Sequence, residues 1–599
     1  MAIRYQSVVA DFETTTDPND LRVWAACAVD IDTLETVHLS NSIDSFFKWL
    51  EGRNTKCYFH NLKFDAEFLL AWLLRNGYKY EKKEPKKPRH PRTFDTLITD
   101  TGVFYMIEVI FSVKNKKYKK VTFYDSLKKL PFKVSEISKA FKLKDSKLTI
   151  DYDAPRPVGH VLTDEEREYI VNDCRIVAAA LQIQFAEGLK RMTNASDAFN
   201  WYKDTVGPKQ FERCFPVFPV ALDKDIRHAY RGGFVYLKPE HKNRRGLKGI
   251  TLDVNSLYPW ALRYCPLPYS YPVYFEGEPD WNDPDYPLFI VKIECMFEVK
   301  KDHLPTIQLK NSSRFIQTEY ITSSKIKLGD DYVDEMVELT LTSVDLQLFL
   351  DHYDVDNLIY HSGFKFKASS SMFIDYVDYW ADVKAREKGP KRQLAKLMLN
   401  SLYGRYALST RRVQKVPILD EDDVVVYPTG LEKEEETEPV YTALAAFVTA
   451  YAREKTIRSA QSVYDRFIYG DTDSLHLIGY EMPEGLEVHP TKLGAWKHEG
   501  SFDDSVYIRA KTYMETMHEV KDATLENYAT ALNTAAKIER HGDKLDVWTN
   551  KVTCAGMPDN VKETVTYENF NYRTTFEGKL VPKRCPGGVV LVETTFTLL

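Results

Sequence analysis

The sequence predicts an α/β multidomain protein, and three observations carry that prediction. The chain has 599 residues, more than one hydrophobic core usually supports, so roughly two to four packed units are expected. Residues 7–185 alternate short β-type runs with helical runs, as in SVVADFE, KCYFHN and DAEFLLAWLLRNG, where Gly77 is placed to end a helix. Beyond a long helical stretch ending near Met192 the composition turns aromatic and proline-rich, as in YSYPVYFEGEPDWNDPDYP (269–287), and many short strands are expected to follow.

Hydrophobic residues make up 44% and charged residues 28% of the chain, which excludes a disordered protein. The net charge of −6 gives no global basic signature, so a grip on nucleic acid has to come from local patches of Lys and Arg. EPKKPRHPR (84–92) reads as an exposed basic loop and FSVKNKKYKKVTFYD (111–125) as a basic hairpin. Their charge pattern fits a phosphate-facing surface and a solvated turn equally well. QKVPILDEDDVVVYP (414–428) followed by the acidic LEKEEETEP (431–439) reads as a protruding hairpin. The eight cysteines are scattered with no Cys-x-x-Cys pair and no zinc spacing, which points to reduced, structural thiols. The run before Asp11 is too short for a secretory core. The longest apolar stretch, around 443–452, is too short to span a bilayer, so neither signal peptide nor membrane span is expected and a reducing, soluble compartment is.

Asp11 and Glu13 sit two apart at the end of a β-type run, and strand geometry sends them to one face. Asp65 follows a second β-type run and opens a helix. Asp173 lies on a helix announced by Thr163 and Glu166, a capping box, with Tyr169 one turn before it on the same face. Taken singly, any of these acids is more commonly a cap or a surface group. Converging, they would repel unless a cation neutralised them, and Mg²⁺ or Mn²⁺ accepts hard oxygen ligands while leaving positions for phosphate and water.

A second constellation follows. In GITLDVNSLYPWAL (249–262) an apolar run delivers Asp253 to a strand-to-helix corner. RFIYGDTDSLHLIGY (466–480) reads as a tight hairpin with Asp471 and Asp473 at its tip, although Asp is also common in plain turns. GPKRQLAKLMLNSLYG (389–404) reads as a helix from Pro390 to Gly404. Arg392, Lys396, Asn400 and Tyr403 share one face and Leu394, Leu397, Met398 and Leu402 the other. A basic stripe of this kind is usually a solvated face; this one ends in an Asn and a Tyr that could meet a base and sugar.

The segments DFET, NLKFD and YIVND resemble the three motifs of DEDD-type 3′→5′ proofreading exonucleases. LDVNSLYP, KLMLNSLYG and YGDTDS resemble motifs A, B and C of family B DNA polymerases. The wording of YFHNLKFD, YDSLKKLPF, AYRGGF and PGGVVLVETTF is similar to that of protein-primed bacteriophage replicases, over nearly the whole chain. The resemblance implies an RNase H-like exonuclease domain joined to a right-hand polymerase domain carrying two inserted subdomains. Its divisions would be the exonuclease domain at 1–189, linker and palm at 190–265, a first terminal-protein region at 266–371 and fingers at 372–406. A second insert would follow at 407–439, the remaining palm at 440–554 and a thumb at 555–599.

The resemblance also assigns roles. Asp11, Glu13, Asp65 and Asp173 would hold two metal ions for strand trimming, Tyr169 would orient the attacking water, and Lys147 lies where related enzymes carry a catalytic lysine. Asn61 and Phe64 would contact the single-stranded 3′ end. Asp253, Asp473 and the Val254 carbonyl would hold two Mg²⁺ ions for synthesis, with Asp471 in support. Lys384, Arg392 and Lys396 would clamp the triphosphate, Tyr258 would exclude a ribose, and Asn400 and Tyr403 would line the pocket. Tyr230, Gly232 and Gly233 would contact template, and Lys511 and Tyr513 primer. The implied partners are template DNA, a primer 3′ end, dNTPs and a terminal protein, met by a monomer in the cytoplasm of an infected host cell. A family B replicase extending nucleic-acid primers is the alternative; a nuclease that merely binds DNA, or a non-catalytic DNA-binding protein, is disfavoured by the intact acids.

Overall fold

The computed structural model describes residues 5–152, 154–308, 320–328 and 331–599; part of the first predicted insert therefore lies outside the described residues. The N-terminal domain is built on an eight-stranded mixed sheet. Gln6–Thr14 pairs antiparallel with Val23–Asp30 and parallel with Thr55–Phe59, which pairs parallel in turn with Lys117–Asp125. A sheet so enclosed needs cover on both faces. Leu62–Arg75 packs its apolar residues on one side, and Asp164–Ala186 lies on the other. The Thr163–Glu166 capping box forms as predicted.

The two basic segments resolve unevenly. Residues 104–125 form the expected hairpin. Arg89 and Lys120 are not available to phosphates, because both are paired with the buried Glu108, at 3.2 and 2.6 Å. Their charge is spent inside the domain.

A second eight-stranded sheet is wholly antiparallel, with Gly249–Val254 near its middle, flanked by Ser474–Ile478 and Trp496–Arg509. Behind it runs Thr442–Ser462, buried nearly all round. That helix contains the longest apolar stretch of the sequence, so the stretch is packed inside the protein. Among the described residues no helix is long and apolar enough to cross a membrane. All eight cysteines are free and buried.

Three expectations need correction. The strands after residue 266 are not all short: Leu288–Val299 and Tyr353–Ser369 have 12 and 17 residues and share one four-stranded sheet. The helix beginning at Pro390 does not run to Gly404 but ends at Ser401, and Tyr403–Ala407 continues as a 3₁₀ turn. The hairpin near residue 420 does not protrude. Arg411–Gln414 pairs with the acidic Lys433–Glu436, while Leu419, Val425 and Tyr427 pack into the N-terminal core. The C-terminal hairpin, Thr575–Cys585 with Gly588–Thr597, reaches the same place, where a Cβ on Gly588 would lie 2.4 Å from Phe68. Three parts of the chain thus meet on the Leu62–Arg75 helix.

Candidate active sites

The N-terminal sheet brings the first carboxylates together. Asp11 and Glu13 project from a strand hydrogen-bonded on both sides, Asp65 stands one turn into its helix, and Asp173 faces them from Asp164–Ala186. Glu13, Asp65 and Asp173 are buried. Burial first, and then the charge of Asp173, push the Asp11 carboxyl up to about 7 against the opposing charge of Lys147. Glu13 and Asp65 are raised by burial and by Asp11 in the same way. Burial raises Asp173 too, against the opposing charge of Lys147, whose Nζ donates to Asp173 Oδ2 at 2.9 Å. Asp173 Oδ1 is buried and accepts no hydrogen bond. Tyr169 is hydrogen-bonded through its hydroxyl to that of Tyr152 at 2.6 Å, with Lys147 over its ring. Tyr152 carried no signal in the sequence.

Asn61 caps and Phe64 opens the helix that carries Asp65, the first exposed and the second half-buried. Asn61 adopts φ +68° without capping the helix by its side chain. Its backbone N–H and that of Leu62 donate instead to Asp125 Oδ1, at 3.1 and 3.3 Å. Asp125 is thus an unforeseen part of the site. It fixes the turn that delivers Asp65, while the Asn61 side chain stays exposed.

The second cluster is assembled by register. Asp253 pairs with Ser474 across the strands, and the Val254 N–H donates to the Asp473 carbonyl at 2.7 Å, which locks the two segments together. Burial, Asp473 and Glu499 raise Asp253 to about 7, opposed by Lys497 and Lys551. Burial, with the charge of Asp471, also raises Asp473. Asp471 is engaged differently, accepting from the Tyr469 hydroxyl at 3.1 Å and from Lys511 Nζ at 3.0 Å. The turn between the two acids is held at Thr472, φ +60°, whose N–H donates to the Phe234 carbonyl. Gly233 packs so tightly there that a Cβ would lie 2.7 Å from Thr472.

Above these acids Tyr258 and Tyr403 stack at 4.1 Å. Arg392, Lys396 and Asn400 are exposed on the Pro390–Ser401 helix, whose opposite face is buried. Lys384 donates to Ser256 at 3.0 Å, and burial together with Lys396 and Arg392 lowers its pKa. None of these three cations has a carboxylate partner among the described residues. Tyr230 is half-buried beside Arg231, which is itself buried and donates to the Thr340 carbonyl. Arg453 holds the Arg231 and Gly232 carbonyls and pairs with Asp345 at 2.8 Å. Tyr513 is mostly buried, its ring packed against Tyr469 and Tyr507, so it offers no free stacking face.

Among the described residues no group of three or more His, Cys, Asp or Glu side chains forms a ready-made metal cage. The donors nevertheless suit a hard divalent cation. They are all oxygens, they destabilise one another's charge, and Asp173 leaves a buried oxygen unpartnered.

Two acidic clusters lie in separate domains, the first largely buried and the second half-buried, with the cations Lys384, Arg392 and Lys396 near the second. The family model for DNA polymerase type B, organellar and viral, matches residues 48–489, and the chain belongs to that family. It is 43% identical to the DNA polymerase of Bacillus phage phi29, with 98% of both chains covered, and 32% identical to that of Streptococcus phage Cp-1, again with 98% of both covered. The phi29 polymerase solved with primer-template DNA superposes with a TM-score of 0.90 at 42% identity, covering 100% of both chains. The fold is therefore that of an exonuclease domain joined to palm, fingers and thumb.

Proposed function

We propose that this DNA-directed DNA polymerase is a protein-primed phage replicase, processive and strand-displacing, that trims its own errors at the N-terminal cluster. The observation that carries the reading is the presence of two separate, mutually destabilised carboxylate clusters, the second of them close to cations, Lys384, Arg392 and Lys396, that have no carboxylate partner among the described residues. Two Mg²⁺ ions at each cluster, or Mn²⁺, would supply Lewis-acid neutralisation of the attacking and leaving oxygens. For synthesis Asp253, Asp473 and the Val254 carbonyl would hold them, and for trimming Asp11, Glu13, Asp65 and Asp173.

The chain's own residues do the rest. Arg392, Lys396 and Lys384 bind the triphosphate, and their lack of carboxylate partners leaves their charge free for it. Tyr258, stacked on Tyr403, blocks the space a ribose hydroxyl needs, while Asn400 faces the nascent pair. Tyr230, Gly232 and Gly233 follow the template, and Lys511 the primer backbone. In the trimming site Asn61 and Phe64 hold the frayed 3′ end, Tyr169 orients water, and Lys147 offers a charge-assisted hydrogen bond. The partners are template and primer DNA, dNTPs and a terminal protein seated on the first insert. The enzyme works as a monomer in the host cytoplasm.

Paired assays of primer extension and single-strand degradation test this. Asp473→Ala should abolish extension and spare degradation, and Asp11→Ala should do the reverse. Loss of both activities in either variant would refute two independent centres. Extension by the unaltered protein from a deoxynucleotide attached to a terminal protein, against none, decides the priming mode.

A further inference from the structure

Behind the hairpin that carries Asp471 and Asp473 lies a fully buried polar group that the reading above does not use. Glu515 is 0% exposed, on the strand Thr512–Asp522. Its Oε1 accepts from the Tyr507 hydroxyl at 2.6 Å and lies 2.6 Å from His476 Nδ1; its Oε2 is buried and accepts nothing. Burial acts to raise this carboxyl, but the neighbouring His476 and the hydrogen bonds from His476 and Tyr507 outweigh it and hold it below the ordinary range. A half-satisfied carboxylate in a core costs more stability than an apolar residue of the same shape, so stability does not account for it.

What the group touches leads to the reacting centre. His476 is three residues beyond Asp473 and faces Tyr469 across the hairpin. The ring of Tyr507 stacks on Tyr513 at 5.3 Å, and Tyr513 lies 5.1 Å from His476 and 5.3 Å from Tyr469. Tyr469 is the last link. Its hydroxyl donates to Asp471 and accepts from the backbone N–H of Lys511 at 3.0 Å, while Lys511 Nζ reaches Asp471 from the other side. The Thr251 hydroxyl lies at the longer distance of 3.5 Å from His476 Nδ1, and Thr553 hydrogen-bonds to Tyr513; the rings of this cage are almost completely buried.

We propose that Glu515 is a positioning residue for nucleotide addition, fixing His476 and Tyr507 so that Tyr469 holds Asp471 and Lys511 in register with Asp473. The inference rests on the assignment of synthesis to the Asp253–Asp473 cluster. Removing the acceptor while keeping the volume lets the rings shift. A displacement of a fraction of an ångström at Asp471 is felt in the rate of the chemical step, not in the capture of nucleotide.

Three variants of the full chain test it: Glu515→Met, which keeps volume and loses the acceptor, Glu515→Gln, which keeps an acceptor and loses charge, and Tyr507→Phe, which loses only the hydroxyl. Steady-state single-nucleotide incorporation, its Mg²⁺ half-saturation and single-strand degradation are measured on each. Glu515→Met is expected to lower kcat for incorporation about 10-fold, with KM for the nucleotide within 2-fold, a raised Mg²⁺ half-saturation and unchanged degradation. Tyr507→Phe should move in the same direction by a smaller factor, and Glu515→Gln should recover most of the rate. Equal loss of both activities in Glu515→Met with normal behaviour of Tyr507→Phe would overturn the proposal in favour of plain packing, as would an unchanged kcat in all three. Failure of the unaltered protein to incorporate nucleotide would instead refute the underlying assignment.

Discussion

The junction on the Leu62–Arg75 helix gives the sharpest test of the processivity proposed above. Glu67, two residues beyond Asp65, has a side chain only 4% exposed. Arg584 of the C-terminal hairpin donates to it at 2.8 Å, and the Tyr427 hydroxyl lies 3.3 Å from both its oxygens. The Arg584 guanidinium also covers the Tyr427 ring at 4.7 Å, and Arg75 pairs with Asp423 alongside. Arg584→Ala strands a buried carboxylate. Breaking a buried pair in this way costs about 3–5 kcal/mol. Because the Arg584 side chain is 40% exposed, solvent screening reduces this to about 2 kcal/mol. That is roughly 30-fold in the ratio of closed to open junction.

If DNA leaves only through the open junction, run length per binding event should fall by about that factor, read as product length on a primed circle with a trap present. Glu67→Ala should cost less, only a few-fold, because it leaves Arg584 within reach of water. The pH dependence has a definite sign. Burial raises the Glu67 carboxyl, chiefly against Arg584, so the closed junction binds more protons than the open one and closing is favoured as pH falls through the raised value. Arg584→Ala removes the main opposing charge and should therefore regain run length as the pH is lowered. Unchanged run lengths, or a worse defect in Glu67→Ala than in Arg584→Ala, would refute the reasoning.

Further outcomes follow from the two clusters. With its carboxyl at about 7, Asp253 takes up a proton below that pH, so synthesis should show an acid limb near neutrality. Raising Mg²⁺ should move the limb to lower pH because cation and proton compete, and a limb fixed across a Mg²⁺ titration would contradict this. Asp125→Ala removes the acceptor for the N–H groups of Asn61, Leu62 and Leu127. It should lower single-strand degradation by roughly 10-fold and leave extension intact, as measured on the same preparation. Gly233→Ala forces the turn at Thr472 to move and should depress single-nucleotide incorporation by roughly 100-fold without affecting degradation.

What could be read in advance was local. Two acids on one strand face, a capping box and a helix with one basic face follow from periodicities of two and 3.6, and all of them are present in the fold. What could not be read depends on partners far away in the chain. Glu67 looks like an ordinary exposed helix residue until Arg584, 517 positions on, covers it. Tyr152 gains meaning only from Tyr169, and Asp125 only from the turn 64 positions earlier. The acidic strand Lys433–Glu436 was invisible because it forms a two-stranded ribbon with no buried face, so no apolar alternation marks it. Long strands read as short where bulges interrupt the alternation, as between Lys292 and Ile293 and between Glu294 and Met296. The two acidic clusters fall on the legible side for a physical reason. A carboxylate is held near others most firmly where the backbone beneath it is hydrogen-bonded: Asp253 pairs with strands on both sides, and Asp11 pairs with Cys27 on a strand whose earlier residues are paired on both sides. The backbone pattern that makes such crowding tolerable is the same strand periodicity that makes it readable, whereas the groups that aim and support those acids are recruited across the fold.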